Sequence, residues 1–89
     1  MKNKFVVYIL RTDKNTLYTG QTNDLGRRLL KHKLGKGAKY TRNFRSLELV
    51  YQEEFETRSE AMKREAEIKK WPKFRKEKLI GGIINDESK

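Results

Sequence analysis

The sequence predicts a single small α/β domain of the α+β kind: a three-stranded antiparallel sheet flanked by helices, in the order β-β-α-β-α-α. Three observations carry this. Two short segments rich in β-branched and aromatic residues, 5–10 and 16–21, are separated by one turn cluster. Two later segments open with helix-capping residues and continue with apolar residues at helical spacing. Between them, residues 47–55 alternate well enough to supply a third strand.

Residues 5–10 read Phe-Val-Val-Tyr-Ile-Leu, a short uninterrupted run expected to be a strand buried on both faces. Thr12-Asp-Lys-Asn15 supplies a turn, which makes 16–21 the return strand of a hairpin. Asn23 is the predicted N-cap of the first helix. Asp24 then falls in the first turn, where the helix dipole favours an acid. This helix runs to about Gly35, and residues 35–42 form a basic, glycine-containing loop or short helix. After the third strand, Thr57 and Glu60 fit a capping box, and a helix continues to about Lys70. Pro72 suits the first turn of a last helix that carries Phe74, Leu79 and Ile80 and stops at Gly81-Gly82. Residues 1–84 are expected to form the domain and 85–89 a polar tail.

Composition narrows the chemistry. Eighty-nine residues suffice for one domain. The absence of cysteine excludes a disulfide scaffold, thiolate-bound zinc and thiol catalysis, and a single histidine, His32, excludes a multi-histidine metal centre. The apolar run at 5–10 is the longest in the chain. It falls short of the ~18 residues a spanning helix needs and of the roughly 7–15 of a secretory core. The expectation is a soluble, cytoplasmic protein that engages no membrane.

Helical phase singles out polar residues on apolar faces. Advancing roughly 100° per residue from Leu25, Leu29 falls at about 40°, His32 at about −20° and Arg28 at about −60°, while Arg27 points away. From Ala61, Ile68 falls at about −20° and Glu65 at about 40°, whereas Glu60 and Glu67 turn toward solvent. Buried charges need partners. Arg28, His32 and Glu65 therefore indicate a polar cleft, structural pairing or a different helix phase, with Arg28–Glu65 or Glu65–Lys69 as the candidate ion pairs. Tyr8 and Tyr18, on the two hairpin strands, read first, each taken alone, as core aromatics with satisfied hydroxyls.

The charge is uneven. Lys+Arg total 22 and Asp+Glu 12, a net +10. Arg27, Arg28, Lys31, Lys33, Lys36, Lys39, Arg42 and Arg45 lie between Asp24 and Glu48 with no acid among them, and Tyr40 and Phe44 are interleaved. Such a stretch fits a phosphate backbone, with aromatics placed to stack, better than a merely solvated basic face. Residues 69–78, with Trp71 and Phe74 among their charges, widen the same footprint.

Val7-Tyr8, then Tyr18-Thr19-Gly20, then Arg28 and His32 spaced Arg-x-x-x-His, then Glu65 on a later helix, together resemble the GIY-YIG nuclease domain. The likeness is strongest to the small, stand-alone bacterial members, which also carry the Gly-Lys-Gly-Ala-Lys-Tyr-Thr-Arg segment. Val6 and Thr19 stand where the family name has Gly and Ile; neither replaced side chain does chemistry. The asparagine that some members use after the glutamate has no counterpart here.

The resemblance implies a metal-dependent endonuclease that hydrolyses DNA phosphodiester bonds, in repair or recombination. It assigns Tyr8 as general base with Tyr18 orienting it or the water, although the sequence does not fix which of the two tyrosines is the base, and Arg28 as the forked cation on the phosphate oxygens. His32 shares the proton relay or holds the phosphate. Glu65 is the one protein ligand of a single divalent ion, Mg²⁺ or Mn²⁺. A tyrosine ordinarily ionises near pH ~10, so neighbouring cations would have to lower Tyr8. The implied partner is nucleic acid, DNA rather than RNA, bound by a monomer through Arg27, Lys31, Lys33, Lys36, Lys39, Tyr40, Arg42 and Arg45. The alternative is a non-catalytic nucleic-acid-binding module of the same fold, an accessory to DNA or RNA.

Overall fold

The computed structural model describes residues 4–34 and 45–82. Its elements follow the expected order: β1 Phe5–Thr12, β2 Leu17–Thr22, α1 Leu25–Lys33, β3 Leu47–Phe55, α2 Arg58–Lys69 and α3 Lys73–Ile80. The basic loop with Lys36, Lys39, Tyr40, Arg42 and Phe44, and the expected tail, lie outside the described residues.

The sheet is antiparallel with strand order β2-β1-β3. β1 is central, which is why its apolar run is unbroken: both faces must be covered. Val7, Ile9 and Leu10 are fully buried, and Tyr8 nearly so. Alternation then divides them between two cores. Val7 and Ile9 pack with Ala61, Ile68 and Leu79 beneath α2 and α3. Val6, Tyr8 and Leu10 pack with Leu25 and Leu29 of α1 and with Leu47 and Leu49 of β3. Each fully buried large aliphatic contributes about 1.5–3 kcal/mol relative to exposure.

Three local features depart from the sequence reading. The N-cap of α1 is Asp24, not Asn23: its carboxylate accepts from the Arg27 N–H at 3.1 Å. Both residues are good caps. The Thr22 hydroxyl decides between them by accepting the Asp24 N–H at 3.1 Å, which holds Asp24 as the last non-helical residue. Pro72 is the N-cap of α3 and not part of its first turn; it is extended, and its carbonyl accepts from Arg75 and Lys76. In β3, Tyr51 faces Ile9 and Leu49 faces Leu10, leaving Val50 as a bulge. That extra residue puts Tyr51 and Val50 under α2 and α3 while Leu47 and Leu49 serve the opposite core.

The expected capping box is present: Thr57 Oγ1 accepts from the Glu60 N–H, and the Glu60 carboxylate accepts from the Thr57 N–H. α3 ends at Gly81, followed by Gly82 with φ +76°. No described helix is long and apolar enough to cross a membrane.

Candidate active site

Tyr8 and Tyr18 reach one place because β1 and β2 pair in a fixed register. Tyr8 lies opposite Gly20, and Tyr18 opposite Leu10 on the same sheet face. Gly20 has no side chain because the Tyr8 ring occupies that space. A Cβ there would lie 2.7 Å from the Tyr8 hydroxyl and 3.1 Å from a ring carbon of Tyr18. α1 then delivers His32, which is buried. Its ring centroid is 6.2 Å from that of Tyr8 and 5.7 Å from that of Tyr18, and the two tyrosine rings are 6.3 Å apart. The Tyr8 hydroxyl and His32 Nε2 are 3.3 Å apart, a long hydrogen bond.

Arg28 stands one turn before His32 and is half-buried. Its guanidinium acts on both neighbours, drawing the Tyr8 hydroxyl downward and holding the His32 imidazole low. For His32 burial is the larger cause, and the two together keep the ring below the usual histidine range. For Tyr8 burial wins in the other direction. Together with the Tyr18 and Glu65 charges it pushes the hydroxyl well above the usual tyrosine range, against the pull of Arg28. The expected cationic lowering of Tyr8 is therefore not found in the free protein: one guanidinium does not offset full desolvation of the ring.

Glu65 comes from α2, against the other face of the sheet, yet its charge acts on Tyr8. Its side chain is 20% exposed, and its carboxylate pairs with Lys69 at 3.0 Å. Of the two candidate ion pairs the sequence offered, this is the one formed. Among the described residues no group of three or more His, Asp or Glu side chains could enclose a metal ion. A single half-buried carboxylate suits a hard divalent cation that keeps most of its waters and completes its shell on substrate phosphate.

Of the basic residues expected to bind nucleic acid, Arg27 and Lys31 line a polar hollow with Arg28, Thr22, Asn23 and Asp24 at the start of α1. Arg28 also lines an adjoining hollow with Phe5, Gln21 and Arg58, so Arg58 joins this face although the sequence reading did not single it out. Lys33 and Arg45 border a separate hollow beyond His32. Lys36, Lys39, Tyr40 and Arg42 fall outside the described residues.

Arg64 was also missed. It is buried, donates to Glu53 at 2.8 and 3.1 Å and to Glu67 at 2.9 Å, and lies over Trp71. Glu67 is thus held by Arg64 and does not turn freely to solvent. The signal was available in the phase of Arg64, about −60° from Ala61, and in an acid, Glu53, on the same strand face as Tyr51 and Phe55. Trp71 is stacked by Arg75 at 4.3 Å and packs against the core, which leaves Phe74 as the exposed aromatic of this region.

Comparison with known proteins bears out the fold and identifies the family. The GIY-YIG catalytic domain matches residues 4–78. A UPF0213 protein of Staphylococcus epidermidis is 50% identical over 78 residues, covering 88% of this chain and 95% of its own. Another, from Oceanobacillus iheyensis, is 50% identical over 80 residues, covering 90% and 93%. Among solved structures, the UPF0213 protein of Bacillus halodurans has a TM-score of 0.58 at 42% identity, covering 88% of this chain and 83% of its own. A protein of E. faecalis has a TM-score of 0.63 at 38% identity, covering 92% and 90%. The chain belongs to the GIY-YIG family as one of its small bacterial members.

Proposed function

We propose that this protein is a metal-dependent endonuclease that hydrolyses DNA phosphodiester bonds. The observation that carries the reading is the Tyr8–Tyr18–His32 cluster closed over Gly20, with the charges of Arg28 and Glu65 acting on it. A core tyrosine needs neither a histidine on its hydroxyl nor two opposite charges in range.

In this reading Arg28 holds two oxygens of the scissile phosphate and stabilises charge that develops there. Glu65 is the residue that would hold a divalent cation, which when bound supplies Lewis-acid stabilisation and favours an ionised water. Tyr8 takes a proton from the attacking water as its own proton passes to His32 Nε2. His32 suits this, because burial keeps it neutral and one ring nitrogen faces the hydroxyl. Tyr18 walls the site and orients Tyr8.

The raised Tyr8 hydroxyl favours a second reading, a binding module of the same fold. Cleavage of plasmid DNA with Mg²⁺ or Mn²⁺, with and without EDTA, separates the two. The nuclease nicks, EDTA stops it, and Tyr8→Phe lowers the rate by roughly 10²–10⁴ while leaving binding intact. Metal-independent binding with no nicking by the wild type supports the module.

A further inference from the structure

α2 has little apolar surface with which to hold its orientation. Its buried residues are Ala61, Ile68 and Arg64, and Met62 is exposed. Ala61 and Ile68 pack with Val7 and Ile9 of the central strand. So narrow a stripe fixes the distance of a helix from the sheet better than its rotation. Arg64 supplies the direction. Its guanidinium donates twice to Glu53 of β3, from Nε at 2.8 Å and from Nη2 at 3.1 Å, and once to Glu67 at 2.9 Å. The Tyr51 hydroxyl donates to the same Glu53 carboxylate at 2.5 Å, and the Trp71 ring centroid lies 5.4 Å from the guanidinium carbon. Glu53 faces α2 because of the bulge at Val50; without that extra residue, alternation would turn it to the opposite core. Replacing a buried ion pair as a whole by apolar side chains is often neutral for stability. What a forked pair adds is direction, since two bonds to one carboxylate tolerate little rotation.

Glu65 follows Arg64 directly. From Ala61 the two fall at about 40° and about −60°, on opposite flanks of the Ala61–Ile68 stripe. α2 contacts all three strands, and the Arg64 flank is the one bonded to β3. In the strand order β2-β1-β3 the Glu65 flank is therefore the one toward β2, which carries Tyr18 and Gly20. At about 6 Å from the helix axis, a roll of ~20° moves a carboxylate by about 2 Å. Misplacement by ~1 Å already costs roughly 10²-fold in rate. We propose that Arg64 is a positioning residue for Glu65: its fork to Glu53 sets the rotation of α2 and so aims the neighbouring carboxylate at the tyrosine–histidine cluster. This role rests on the nuclease reading above, in which Glu65 serves the cation, and it adds a residue that touches neither cation nor strand.

Broadening of NMR signals by added Mn²⁺ reads where Glu65 stands, without any turnover. The comparison takes wild type, Glu65→Gln, Arg64→Met and Arg64→Lys, each at a temperature where melting shows it folded. Arg64→Lys keeps the charge and loses the fork, and it decides the question if Arg64→Met does not fold. His32 is the sole histidine, so its ring signals are assigned without ambiguity. In the wild type, Mn²⁺ should broaden the His32 ring and the Gly20 amide, and Glu65→Gln should remove the effect. Both Arg64 variants should weaken it at these two places several-fold. Plasmid nicking in Mn²⁺ should then show kcat lowered by roughly 10²-fold in Arg64→Met, with KM unchanged. Folded Arg64 variants with wild-type broadening, however low their melting temperature, overturn the positioning role alone. Wild-type signals indifferent to Mn²⁺, or broadened equally in Glu65→Gln, overturn it together with the assignment of Glu65 to the cation.

Discussion

Gly20 is fixed by the Tyr8 ring above it. With the hydroxyl 2.7 Å from where a Cβ would lie, and the ring itself buried, Gly20→Ala must displace Tyr8 from His32. The expected cost is about 1–3 kcal/mol of stability, with loss of any cleavage while the fold persists, read by denaturant melts beside a nicking assay. Thr19, next to it, has a buried hydroxyl with no hydrogen-bond partner among the described residues. Thr19→Val keeps the shape and removes the unsatisfied oxygen, so it should stabilise by about 1 kcal/mol; a loss of that size would mean the hydroxyl is used. His32 gives a pH signature. Its folded pKa lies below the unfolded value, so the unfolded chain binds the extra proton. Stability is full above the ordinary histidine range, falls as pH drops through it, and levels off below the folded pKa. As the sole histidine, its replacement in His32→Gln should remove that step between pH ~7.5 and ~5.5, seen in melting temperatures. Helical phase alone showed that His32 and Glu65 face inward. It did not reveal what Arg64 meets, because its acid partner Glu53 lies on another element, the strand before α2.

α2 joins the site to the scaffold. Its start, the Thr57–Glu60 capping box, was legible because the motif is local, and Thr57→Ala should cost about 1 kcal/mol. Its body was only half legible. Ala61, Ile68 and Glu65 follow from periodicity, but Arg64 is held by Glu53 of β3, which no local pattern announces. Breaking that pair with Arg64→Met should cost ~3 kcal/mol, well above truncation of the exposed pair Lys4–Glu56; urea melts of the two truncations rank them. The strands were legible from composition and the hairpin from its turn. The Val50 bulge was not, since one extra residue leaves an apolar run looking unchanged while it redirects every side chain after it. The choice of Asp24 over Asn23 was equally closed to sequence, because a threonine hydroxyl two residues upstream decides it.

Over the whole molecule, the net charge of +10 is not spread evenly. Arg27, Arg28, Lys31 and Arg58 surround the hollows at the start of α1, while Glu53, Glu54, Glu60 and Glu67 line the one between β3 and α2. A polyanion is thereby steered to the side that carries Tyr8 and Arg28. Arg28→Ala should weaken binding and reduce cleavage by roughly 10²–10³, as expected for one lost electrostatic stabiliser of the phosphate. In the proposed mechanism Glu65 would separate catalysis from attraction, because its charge opposes the strand and would serve the cation. The most direct measurement is therefore a paired one on Glu65→Gln, with plasmid nicking in Mg²⁺ or Mn²⁺ and duplex affinity in EDTA. Nicking by the wild type that the variant loses by orders of magnitude, with affinity unchanged or raised and melting unchanged, is the expected result. Equal nicking by both proteins, or a variant that loses stability with no divalent-dependent cleavage by the wild type, would contradict it.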